Sequence, residues 1–240
     1  MTDRLLKTLL EEKDVRHKGS LYSFTQIEMA YNSNRIEGSR LTEAQTRYLY
    51  ETNTITTPPG ETASVNDIME TVNHFRCFDF MLDTADDTLC EELIKKYHYY
   101  LKRNSVDELK GLLVPGEYKT KPNMVGNIET ADPSEVEEKI SLLLDIYQAI
   151  QEITLKDIIE FHFEFERIHP FQDGNGRAGR IIMFKECLAH GIMPFIIEDK
   201  YKEFYYRGLD QYKAEPGYLT DTCLSAQDKY KKKVLYYYPA

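Results

Sequence analysis

The chain has 240 residues, 42% of them hydrophobic, with 40 acidic against 30 basic side chains and a formal net charge of −10. That length and apolar content allow a substantial buried core, as one large domain or two small ones, and are not those of a disordered polymer. The acidic balance argues against broad binding to nucleic acid or anionic lipid, because phosphate backbones and headgroups need a local excess of Lys and Arg.

In chain order, the opening MTDRLLKTLLEEKDVRHKG lacks the unbroken apolar stretch of a signal peptide. Nothing later approaches the roughly 20 apolar residues of a membrane span. The expected location is therefore cytoplasmic, with no membrane partner. FTQIEMAYNSN, residues 24–34, offers Phe24, Ile27, Met29 and Tyr31 for docking. NTITTPPGETAS at 53–64 has the composition of a linker.

From 65 to 82, Val65, Ile68, Val72, Phe75 and Leu82 recur at helical spacing, and Ser64 with Asp67 supplies an N-terminal cap. Residues 112–130 break that period: Pro115-Gly116, Pro122-Asn123 and Gly126-Asn127 punctuate short apolar pieces, which predicts a small hairpin or flap. Ser134 to Gln151 follows Pro133 and aligns Val136, Ile140, Leu143, Leu144, Tyr147 and Ile150 on one helical face.

Thr154 and Asp157 can cap a further helix running through Phe165, which Pro170 ends. Ile181, Ile182, Phe184, Cys187 and Leu188 predict a buried helix stopped by Gly191 and Pro194. The tail, DKYKKKVLYYYPA, reads as a terminal helix whose lysines form a solvated face, not as a nucleic-acid patch. Cys77, Cys90, Cys187 and Cys223 lie far apart with no C-x-x-C pair, as expected of reduced thiols.

HPFQDGNGRAGR, residues 169–180, joins two of these helices and concentrates their polar chemistry. The glycines of Asp173-Gly174-Asn175-Gly176 let backbone N–H groups turn toward one point, where the next helix presents its free donors; an anion fits there. Arg177 and Arg180, three residues apart, can reach the same ligand. Asp173 alone would repel a polyphosphate, and a divalent cation such as Mg²⁺, bound by one carboxylate and substrate phosphates, resolves that conflict. His169, neutral at cytoplasmic pH, is the natural general base.

H-P-F-x-D-G-N-G-R-x-x-R resembles the signature of the Fic-domain family at every defining position. The resemblance implies an all-α, Fic-type helical bundle with a small β-hairpin flap. It also implies transfer of AMP from Mg·ATP to a Ser, Thr or Tyr hydroxyl of a target protein, releasing pyrophosphate. On that resemblance His169 deprotonates the hydroxyl and Asp173 binds the metal. Gly174, Asn175 and Gly176 hold the α-phosphate region, Arg177 and Arg180 engage the outer phosphates, and Phe171 is a hydrophobic anchor.

The stretch 116–127, GEYKTKPNMVGN, is similar to the family's flap, on which an unknown target protein would dock, although Lys119 stands where arginine is common. Val125, Gly126 and Asn127 would border the nucleotide, and EFYYRGLDQY nominates Tyr205, Tyr206 and Leu209 beside the adenine. The resemblance spans about 65–215, so the expected organisation is 1–60 as an N-terminal helical region, 65–215 as the catalytic core and 216–240 as a C-terminal helix or tail. Self-modification and a homodimer remain open on this reading.

Ser33-x-x-x-Glu37-Gly38 is similar to the inhibitory motif of self-restrained Fic proteins. Ser33 and Glu37 share a helical face and Gly38 can end the helix beside the carboxylate. The expectation is that Glu37 pairs with Arg180 and misplaces ATP. Two other activities remain in play: metal-dependent de-AMPylation through Glu37, a phosphodiester hydrolysis, and transfer of another nucleotide moiety.

Overall fold

Residues 2–125 and 128–239 are described by the structure, a computed structural model of the chain. Helices α1 (Thr2–Asp14), α2 (Leu21–Ile36), α3 (Glu43–Thr52), α4 (Val65–Asp83), α5 (Glu91–Lys102) and the single turn α6 (Val106–Leu109) lead to a two-stranded hairpin. Its strands, β1 (Met124–Val125) and β2 (Ile128–Glu129), pair antiparallel with Met124 opposite Glu129. Helices α7 (Val136–Gln148), α8 (Leu155–Ile168), α9 (Asn175–Ala189), α10 (Lys202–Gln211) and α11 (Gly217–Tyr237) complete the chain. The all-α expectation with a small hairpin flap holds.

Local chemistry sets the helix ends. Ser20 caps α2 by accepting from the Ser23 amide, and Thr42 and Gln45 form a capping box on α3. Ser64 caps α4 by accepting from the Asp67 amide, as predicted. The Asp157 carboxylate accepts from the Thr154 amide at 2.8 Å and its hydroxyl at 2.6 Å, closing the first turn of α8. That helix runs three residues past Phe165, to Ile168, and His169 ends it in the left-handed region at φ +52°.

Helix α9 is the axis of the bundle and packs on α1, α2, α4, α5 and α8. Every residue from Asn175 to Leu188 is buried, so its charges must find partners inside. Lys185 Nζ pairs with Glu186 Oε1 at 2.7 Å, and Tyr147 donates to Glu186 Oε2 at 2.9 Å. Around them Phe78, Phe165, Phe171, Phe184 and Tyr97 fill the core.

The exposed, non-helical 53–64 segment matches the predicted linker, but residues on both sides of it feed the same core: Leu5, Leu9, Leu21, Met29 and Ile36 pack with Phe78, Met81 and Phe184. A smaller cluster of Ala30, Leu41, Leu49 and Phe75 seats α3 against α4. At the other end α11 buries Leu219, Cys223, Ala226, Tyr230 and Val234 along one face and leaves Lys231, Lys232 and Lys233 in solvent, while the half-buried Lys229 pairs with Glu198.

Phe78 shows how tightly these units are joined. It is fully buried, meets Phe184 edge-on at 5.5 Å and lies 6.5 Å from the ring of Tyr22. Phe78→Ala is expected to cost about 3–5 kcal/mol through lost burial and the cavity left behind. A urea-unfolding midpoint unchanged from wild type would contradict this packing.

Candidate functional site

Residues 169–174 turn the chain from the end of α8 into the start of α9, and side chains fix the turn at each step. The Asn175 carboxamide accepts from the Phe171 amide and donates to the Phe171 carbonyl, both at 2.8 Å. The Phe171 ring stacks on His98 with centroids 3.8 Å apart. His98 Nε2 donates to the Asp173 carbonyl at 3.0 Å, while Nδ1 accepts from the Gly116 amide at 2.9 Å, so the neutral ring has one defined tautomer. Gly174 adopts φ +85° as the N-cap of α9, where any side chain would press on Lys102.

His169 is held by the same logic. Its Nδ1 donates to the Glu166 carbonyl at 3.3 Å, which leaves the Nε2 lone pair free to take a proton. Burial pushes the imidazole down to about 4, outweighing its hydrogen bond to that carbonyl, so the ring is unprotonated at neutral pH.

Asp173 is gripped on Oδ2 by Lys102 Nζ at 2.6 Å and by Arg177 at 3.0 Å. Although burial opposes ionisation, those two cations hold its carboxyl far below the usual carboxylate range. The side chain is still 45% exposed, so one side is clamped and the other is open. Arg177 is 3% exposed and also pairs with Glu70 at 2.7 Å.

Arg180, equally buried, donates from Nε to Ser33 Oγ and from its terminal nitrogen to the Ser33 carbonyl, both at 3.0 Å, and to Glu37 Oε1 at 2.7 Å. Glu37 is the C-cap of α2, with Gly38 following at φ +96°. Glu37 Oε1 also lies so close over Gly176 that a Cβ there would collide with it. The carboxylate thus occupies the anion seat at the opening turn of α9.

Comparison with known proteins places this geometry. The sequence profile of the Fic/DOC family matches residues 88–187, from before α5 through most of α9. This stretch of the chain matches the Fic family. The protein adenylyltransferase Fic of Nematostella vectensis is 25% identical over 185 residues, covering 75% of this chain and 42% of that protein. The protein of the same name from Aedes aegypti is 26% identical over 187 residues, covering 75% and 36%. The chain thus spans about two fifths of the length of these curated relatives.

Among solved structures, a Fic domain containing signaling protein from Bacteroides thetaiotaomicron superposes with a TM-score of 0.70 at 24% identity, over 98% of this chain and 92% of that one. A Fic-1 fragment from C. elegans gives 0.70 at 19%, over 97% and 70%. These two share the fold.

Several of the other predicted site residues have partners within the protein. The side chain of Asn175, expected at the α-phosphate, closes the loop on the Phe171 amide and carbonyl. Arg177, expected on the outer phosphates, pairs through its two terminal nitrogens with Glu70 and Asp173, while its buried Nε has no partner among the described residues. Tyr205, expected beside an adenine, is 1% exposed, lies beneath the Arg180 guanidinium and is hydrogen-bonded through its hydroxyl to His162 at 2.7 Å. Tyr206 donates to the Ile36 carbonyl at 2.9 Å, at the end of α2. Leu209 is partly buried against the core. Val125 is placed only as a strand residue of the flap, and Gly126 and Asn127 lie outside the described residues.

Sequence reasoning missed Glu70, His98, Lys102 and Glu166. The last sits one turn before His169; burial pushes its carboxyl up to about 8, and its Oε1 has no partner among the described residues.

The buried histidines give a test of this interior. Burial drives His74, His98 and His162 down to about 3 and His169 to about 4, against about 6.5 in an unfolded chain. Below that unfolded value, unfolding takes up protons, so their contribution is present above about pH 6.5 and lost as pH falls. Glu166 acts in the opposite sense, releasing a proton on unfolding between its unfolded value and about 8. Near pH 5 the net uptake is about two to three protons, each worth about 1.4 kcal/mol per pH unit. The urea midpoint should fall steeply from pH 7 to 5, and a flat profile would mean these rings are not buried neutral.

Proposed function

We propose that the chain is a protein adenylyltransferase that transfers AMP from ATP to a hydroxyl of a target protein, restrained by its own Glu37. The names of its relatives favour this activity, since the matched proteins of Nematostella vectensis and Aedes aegypti are called protein adenylyltransferases. The observation that carries the restraint is the seat of the Glu37 carboxylate, on Arg180 and over Gly176.

In the reaction, His169 Nε2 accepts the proton of the target hydroxyl as its oxygen attacks the α-phosphorus of ATP. The new O–P bond forms as the bond to the β-phosphate bridging oxygen breaks, and pyrophosphate leaves. Positioning and charge neutralisation supply most of the acceleration in such a transfer. The amides at the start of α9 and Arg180 would receive the phosphates once Glu37 has moved aside. Asp173, ionised and open on one side, fits a hard divalent cation and would hold Mg²⁺; the ion would neutralise phosphate charge there.

The target would add its strand to the hairpin at β1 and β2, near which Met124 is 59% exposed. No helix among the described residues is long and apolar enough to cross a membrane.

A carboxylate on the phosphate-binding arginine competes directly with ATP. Its removal by Glu37→Gly should raise labelling of protein with tagged ATP by about tenfold or more, equivalent to about 1.4 kcal/mol. The double variant Glu37→Gly, His169→Ala should label nothing. Equal labelling by wild type and Glu37→Gly at saturating Mg·ATP would remove the restraint from this account. The mass added to the target distinguishes AMP from phosphate or another nucleotide.

A further inference from the structure

Lys102, the last residue of α5, has a side chain with no exposed surface. Its Nζ donates to Glu70 Oε1 at 2.6 Å, Asp107 Oδ2 at 3.1 Å and Asp173 Oδ2 at 2.6 Å, using all three ammonium protons. The three carboxylates come from α4, α6 and the 169–174 turn. They present oxygens that all lie within 4.8 Å of one another, a spacing that also suits a divalent ion with metal–oxygen distances of about 2.0–2.6 Å. The cage is filled by the ammonium.

We propose that Lys102 is the resident cation of this cage and that it makes metal entry depend on the nucleotide. This rests on the reading of Asp173 as the metal ligand. A free divalent ion could gain the full cage only by expelling Lys102, and the displaced ammonium would be a buried charge stripped of its partners beside Arg177. What remains for the metal is the open side of Asp173. One carboxylate binds a hydrated divalent ion weakly, and phosphate oxygens must supply the rest of the coordination.

Lys102 is therefore a positioning residue. It orients Asp173 from behind, and Glu70 and Asp107 serve to hold Lys102 and Arg177 in place instead of ligating the metal.

The test is titration of the full chain with Mn²⁺ alone, without nucleotide, followed by calorimetry or by the electron paramagnetic resonance signal of the free ion. Wild type should show only weak binding. Lys102→Met empties the cage of its ammonium and should bind Mn²⁺ at least about tenfold more tightly, a gain removed again by adding Asp107→Asn. Should Lys102→Met fail to fold, Lys102→Gln retains polar hydrogen-bonding capacity in the cage and carries the same expectation.

Micromolar binding of free Mn²⁺ by wild type, or no tightening in the folded Lys102 variant, would overturn the proposal. The titration involves no AMP transfer, so its failure would leave the adenylyltransferase reading standing, and inactivity of Glu37→Gly would leave the titration interpretable.

Discussion

The bundle is organised around a charge that cannot reach water. Arg180 is 3% exposed, and a guanidinium taken out of solvent must be hydrogen-bonded from inside. Its partners, Ser33 and Glu37, belong to α2, so α2 has to lie against α9. That position buries α2 on nearly all sides and obliges its own polar residues to pair outward. Gln26 reaches Asp79 on α4 at 2.7 Å, Thr25 meets Tyr230 on α11 at 2.8 Å, and Asn32 accepts from the Asp199 amide at 2.9 Å. One buried cation thus ties the N-terminal helices to the middle and the end of the chain.

On the proposed reading, the restraint and the fold are parts of the same helix. Two of the contacts to Arg180 come from Ser33, within the helix, and one from Glu37, at its last cap. Glu37 is the outermost of the two, with 27% of its side chain exposed. Swinging that one carboxylate aside would vacate the anion seat while Ser33 keeps Arg180 oriented, so activation on this reading requires a side-chain movement and not the departure of α2.

Local rules made much of this legible in the sequence. The caps at Ser64 and Thr154, the apolar stripes of α4 and α7 and the hairpin signals around Gly126 depend on residues close along the chain. The motif at 169–180 was readable because base, carboxylate, glycines and arginines sit together. What escaped was pairing across helices. Lys102 lies in the last turn of α5, where a lysine ordinarily faces solvent and favours the helix dipole; its three carboxylates are 5, 32 and 71 residues away. His98 shows no metal-type spacing, because its partners are a backbone carbonyl and an amide. Asn175 looked like a ligand group because a polar side chain in a glycine loop does not reveal which way it turns.

The same cross-helix pairing explains how a flap with strands of only two residues can define a position. Lys119 Nζ donates to Asn123 at 2.8 Å and Thr130 at 2.6 Å, on either side of the hairpin, and to the Ile168 carbonyl at 3.3 Å, next to His169. The Lys119 amide donates to the Pro170 carbonyl at 2.8 Å, and Asn123 donates to the Phe171 carbonyl at 3.1 Å. His98 joins Gly116 to Asp173 from beneath. The foot of the hairpin and the 169–174 turn are therefore one hydrogen-bonded unit, and a strand added to the hairpin would inherit a fixed distance to His169. On the proposed docking, specificity for the reacting hydroxyl would follow from register along the hairpin, which backbone pairing can set for targets of differing sequence.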